Sequence, residues 1–128
     1  MSVKASLSLL VGLFLVVPGC GQQQDVKFET ASDSFAEAKQ AIEQGDTAKA
    51  FAALTKSLDT LPTVTVYLER AKLYAADGKQ EEALQDCKAA LELRPDNQDA
   101  KWLLAELEKP TEKRFKGNNQ NPPSSFGK

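Results

Sequence analysis

The chain has 128 residues, two cysteines and no histidine, with 16 basic and 18 acidic side chains for a net charge of −2. Without histidine it lacks the side chain that most often acts as a base near neutral pH or binds a metal. It carries no basic excess to hold nucleic acid or an anionic lipid surface, and no Gly-rich phosphate loop or Gly-x-Ser-x-Gly motif. The sequence therefore predicts a non-enzyme, with no catalytic residue, no metal and no cofactor.

Residues 1–20 read MSVKASLSLLVGLFLVVPGC, with Lys4 ahead of an 11-residue apolar run from Leu7 to Val17. A bilayer span needs about 20 apolar residues, whereas a signal-peptide core needs only 7–15. Pro18-Gly19 ends the run at once. Val17-Pro18-Gly19-Cys20 resembles a bacterial lipobox, with an aliphatic residue at −3, a small one at −1 and the cysteine in place. Pro18 departs from the usual Ala or Ser at −2. The resemblance implies a signal peptide over 1–19, lipidation of Cys20 and cleavage before it. Of the 128 residues, loss of 19 leaves 109, and removal of Lys4 takes the charge from −2 to −3. The three acyl chains of this modification imply permanent membrane attachment, because a single chain already contributes about 0.8 kcal/mol per buried methylene. Gly21 in place of Asp after the cysteine implies the outer membrane, if the host has one. Cys87 is then the only other cysteine, which leaves no disulfide partner within the mature chain.

Residues 20–29 read as the lipidated cysteine and a tether, of which the nine residues 21–29 are polar and glutamine-rich and span roughly 30 Å when extended. Helix formers dominate from Thr30 to Lys109. Punctuation divides this stretch into helices at about 31–44, 47–60, 64–77, 80–93 and 97–109. Gly45 and Gly78 stop two of them, and Pro62, Pro95 and Pro110 follow the other three. Asp96 and Asn97 are natural caps for the last. Residues 110–128 hold three prolines and no apolar period, and read as a disordered tail.

Within the helical stretch, Ala38, Gly45, Ala50 and Pro62 recur at one constant offset as Ala71, Gly78, Ala83 and Pro95. A fixed period of about 33 residues marks stacked helical hairpins. Small residues at 71, 83 and 90 let antiparallel helices approach closely, while Tyr67, Tyr74, Leu84 and Leu91 fill the spaces between them. Segment 64–97 resembles a complete tetratricopeptide repeat, with Tyr67, Ala71, Tyr74, Gly78, Ala83, Cys87, Ala90 and Pro95 at its expected places. The first repeat, about 31–63, is degenerate, with Ser34 and Ala41 where the family has aromatics. Residues 98–109 resemble a capping helix, on which Ala100, Leu103, Leu104 and Leu107 form one apolar stripe. The resemblance thus implies an all-α solenoid of two repeats and a cap over residues 30–109.

It also implies a protein-binding groove lined by the first helix of each pair. The places that carry over are Phe35, Lys39 and Ile42 in the first repeat, Leu68 and Lys72 in the second, and Trp102 in the cap. Ser32, Thr65, Ala75, Asp99 and Glu106 flank them. Trp102 lies about 200° around the helix from Leu104, which favours the groove over the core as its place. Cys87, in a helix interior, reads as a core thiol and not a nucleophile. The functional expectation is an envelope lipoprotein whose repeat domain binds another protein or peptide. A structural protein that binds copies of itself through its repeat edges is the alternative.

Overall fold

The computed structural model describes residues 21–114. Helices α1 (Gly21–Glu43), α2 (Thr47–Thr60), α3 (Val64–Ala76), α4 (Gln80–Leu93) and α5 (Gln98–Glu108) follow one another, and a short 3-10 turn closes the described chain at Thr111–Lys113. No strand occurs among the described residues. The fold is an all-α, tetratricopeptide-type solenoid: hairpin α1–α2, hairpin α3–α4, and α5 laid against the second hairpin.

The two glycines close their hairpins by the same geometry. Gly45 and Gly78 have φ of 75° and 78°, in the left-handed region open to glycine at no steric cost. After each, the next amide reaches back across the turn, Asp46 N–H to the Ala41 carbonyl at 2.9 Å and Lys79 N–H to the Tyr74 carbonyl at 2.9 Å. These are the long-reaching bonds of a Schellman ending. Helices α2, α3 and α5 start on side-chain caps, whereas α4 follows Lys79 without one. Asp46 accepts from the Lys49 amide at 3.0 Å, Thr63 from Val66 at 3.3 Å and Asn97 from Ala100 at 2.8 Å.

Small residues sit where the hairpins close. Ala38, Ala50, Ala71, Ala83 and Ala90 are fully buried, and larger side chains pack around them in two clusters. The first hairpin gathers Ala38, Ala53, Leu54 and Leu58 with Val66 from α3. The second gathers Leu68, Ala71, Ala83, Cys87 and Ala90 with Ala100, Trp102, Leu103 and Leu107 of α5. Tyr67 packs against both clusters and joins the repeats. Ser34, standing where an aromatic belongs, is buried and donates to the Thr30 carbonyl at 2.8 Å. Ser57 donates to the Ala31 carbonyl at 2.8 Å and ties α2 to α1.

At both ends of the described chain the local conformation differs from the extended tether and disordered tail expected from sequence. Residues 21–29 are not an extended tether but the first turns of α1. No proline interrupts the stretch, and Gln, Lys and Glu propagate a helix readily once the packed portion has nucleated it. Nine helical residues rise only about 14 Å, half the extended reach. At the other end, residues 110–114 fold back onto the domain. Arg114 donates through Nε to the Lys109 carbonyl at 3.0 Å and through Nη2 to the Leu107 carbonyl at 2.9 Å and to Gln80. These bonds satisfy carbonyls that the end of α5 would leave open. The expected signal peptide, Cys20 and the remainder of the tail lie outside the described residues.

Candidate protein-binding surface

α1, α3 and α5 carry the residues expected to line a groove, and the structure sorts them into two groups. Phe35 is half-buried, Lys39 is exposed with its Nζ 6.0 Å from the centre of the Phe35 ring, and Ile42 is exposed. These three share one face of α1. Lys72 is partly covered and pairs with Glu69 at 3.0 Å on the preceding turn of α3.

Leu68 and Trp102 are corrections. Both belong to the core of the second hairpin, at 7% and 9% exposure. Leu68 is drawn inward because α5 as well as α4 packs against α3, and it shares one cluster with Trp102 and Leu103. Trp102 lies well off the Leu103–Leu107 stripe, but α5 also touches α3, so its buried arc is wider than one stripe. A large indole can cover the edge of the cluster from that position.

What opens between the helices is a cleft of about 260 Å³ near the start of α3. Phe28, Ala31, Ser32 and Phe35 of α1 form one wall, Thr65 and Val66 of α3 the other, and Ser57, Leu61 and Thr63 the floor. No charged residue lines it, so it suits an apolar side chain and offers nothing to hold an ion. Phe28 stands at its mouth, 64% exposed. Sequence reading missed Phe28 because the residue fell in the assumed tether. The available signal was the even, two-turn spacing of Phe28, Phe35 and Ile42, which continues one helical face upstream of Thr30.

A second missed constellation lies behind α3. Arg70 donates to both carboxylate oxygens of Asp86, through Nε and Nη2, each at 2.8 Å, and through Nη1 to Thr55 at 3.2 Å. One guanidinium thereby joins α2, α3 and α4. It also lies 5.9 Å from the Tyr67 ring centre and 5.8 Å from that of Tyr74. The hydrogen bond to Asp86 raises the Arg70 pKa further, outweighing the opposite effect of burial. Such a bidentate, partly desolvated pair fixes geometry more than it adds net stability.

Residues 64–97 match the tetratricopeptide repeat family. The matched tetratricopeptide repeat covers all of α3 and α4, the turn between them and the turn that follows α4, and repeats of this kind are typically non-catalytic modules that bind other proteins. No curated protein and no solved structure matches the chain. Burial pushes the Cys87 thiol up to about 12, which leaves no thiolate near neutral pH. No cluster of three potential metal ligands occurs among the described residues, nor does any described helix have the length and apolarity to cross a membrane.

Proposed function

We propose that this protein is a lipoprotein of the cell envelope, anchored through Cys20, that uses its tetratricopeptide-type domain as a scaffold for another protein. The outer membrane is its location if the host has one. The observation that carries the reading is the open apolar cleft between α1 and α3, on the helices that line the groove in this kind of repeat. A partner inserts an apolar side chain there, and Lys39 and Ile42 extend the contact along α1. The lipobox-like segment supports the anchor.

Self-association through the repeat edges is the weaker reading, because the edges are polar. In the second repeat Val66, Arg70 and Leu73 meet the preceding hairpin. Their counterparts one repeat earlier are Asp33, Glu37 and Gln40, all exposed. On α5 the outward stripe is Lys101, Ala105 and Glu108, also exposed. Among the described residues, neither end offers the apolar face on which a further repeat would stack.

Phe28→Asp and Thr65→Arg change exposed positions at the cleft and leave the core intact. Capture from the native membrane with the lipid attached should lose the partner at least tenfold in both variants and not in Glu37→Lys. An unchanged set of partners with a folded variant rejects the groove. Cys20→Ala should move the protein out of the membrane fraction, and retention there rejects the anchor.

A further inference from the structure

The cleft between α1 and α3 matches the chemistry of a segment of the same chain. We propose that Phe126, near the C-terminus, docks in this cleft and covers it until a partner displaces it. The proposal rests on the reading of the cleft as the partner's site.

Its uncharged lining selects an apolar occupant without a charge. Beyond Arg114 the sequence is FKGNNQNPPSSFGK, where Phe115 and Phe126 are the only large apolar side chains. Phe115 directly follows the Arg114 clamp on Gln80 and Leu107 and is too close to it to reach the cleft. Phe126 lies twelve places beyond Arg114, a reach of about 40 Å when extended. Gln80 opens α4 at one end of the second hairpin, and the cleft lies at the other end, by Thr65 and Val66. The separation is roughly 20 Å along α3, with about 10 Å more for crossing to α1. The segment is long enough with slack. Pro122-Pro123 immediately before Ser124-Ser125-Phe126 restrict the backbone there and lower the entropy of docking.

Charge points the same way. Residues 21–114 hold 18 acidic and 13 basic side chains, a net −5, whereas residues 115–128 hold Lys116 and Lys128 and no acidic side chain, a net +2. Asp25 lies one turn upstream of Phe28 on α1 and is exposed, within the neighbourhood that Lys128 would enter. Tethering supplies a millimolar effective concentration, so a single aromatic anchor suffices for partial occupancy. A partner's apparent affinity falls by the fraction of molecules whose cleft is covered.

The test places a photo-crosslinking benzoylphenylalanine at position 126 of the full mature chain, with no partner present. The expected adduct falls on residues 28–35 or 65–66 of the same molecule, in equal yield across a hundredfold range of protein concentration. Thr65→Trp, an exposed substitution at the cleft wall, should cut that yield at least fivefold with helix content unchanged. Adducts spread over the domain, adducts between two molecules, or a yield indifferent to Thr65→Trp would each overturn the proposal. Because the readout needs no partner, loss of the adduct and loss of partner capture are separate failures.

Discussion

The two hairpins share a plan and differ in how they are held. The second is gripped from both sides, by α2 through Tyr67 and the Arg70–Asp86–Thr55 bonds and by α5 through Trp102, Leu103 and Leu107. Among the described residues the first has a neighbour on one side only, and its outer face shows Asp33, Glu37 and Gln40 to water. Its aromatic places hold Ser34 and Ala41, and its internal ties are single bonds such as Ser57 to the Ala31 carbonyl. A solenoid concentrates stability in its interior repeat, because each interface adds to the repeats it joins. The open cleft lies where the firmly held hairpin meets the looser one.

The largest expected effect strikes the joint between them. Asp86→Ala leaves the Arg70 guanidinium desolvated without its partner and should cost about 3–5 kcal/mol, read by urea denaturation. Asp86→Ala with Arg70→Met should recover much of that loss. Next come matched substitutions at equivalent places. Ala83→Leu overpacks the second hairpin and should cost roughly 1–3 kcal/mol. Ala50→Leu should cost less, because the first hairpin can spread toward solvent. Equal costs would mean that the hairpins are equally confined. Ser57→Ala removes one buried hydrogen bond and should cost about 1 kcal/mol. Amide exchange should rise in α1 and α2 well before α3 and α4.

Cys87 gives the smallest effect at neutral pH and one confined to alkali. Its thiol is raised from an ordinary value of 9.0 to about 12 by burial. The unfolded chain therefore loses that proton first as pH rises, and deprotonation favours unfolding. This contribution is fully present below pH 9 and is lost progressively between 9 and about 12. A thiol reagent at mildly alkaline pH should label the native protein only at the rate of unfolding. Cys87→Ala should show a shallower loss of stability once the pH passes the ordinary thiol value.

Much of the fold was readable because the decisive residues are punctuation. Gly45, Gly78, Pro62 and Pro95 fix where helices stop, and the bounds of α2 and α4 are those expected from sequence. The alanines recurring at the repeat period fix which faces meet. The start of α1 was not readable in this way, since Gln22 to Glu29 carry no breaker and no strong apolar period. Only continuation from a packed segment decides that such residues are helical. Leu68 and Trp102 were misplaced for a related reason. A single helix's periodicity predicts one buried stripe, whereas burial in a stack is set by how many neighbours each helix has. The Arg70–Asp86 pair depends on α3 meeting α4 side by side, and no spacing rule within one helix reports it.

The central claim is that the α1–α3 cleft, and not the polar ends of the stack, receives a partner. Photo-crosslinkers placed in turn at Ser32, Thr65, Glu37 and Glu108, in the lipidated protein within its native membrane, test it most directly. The account predicts discrete heterologous adducts from Ser32 and Thr65 and none from Glu37 or Glu108. Adducts between identical chains from Glu37 or Glu108, with the cleft positions silent, would contradict it.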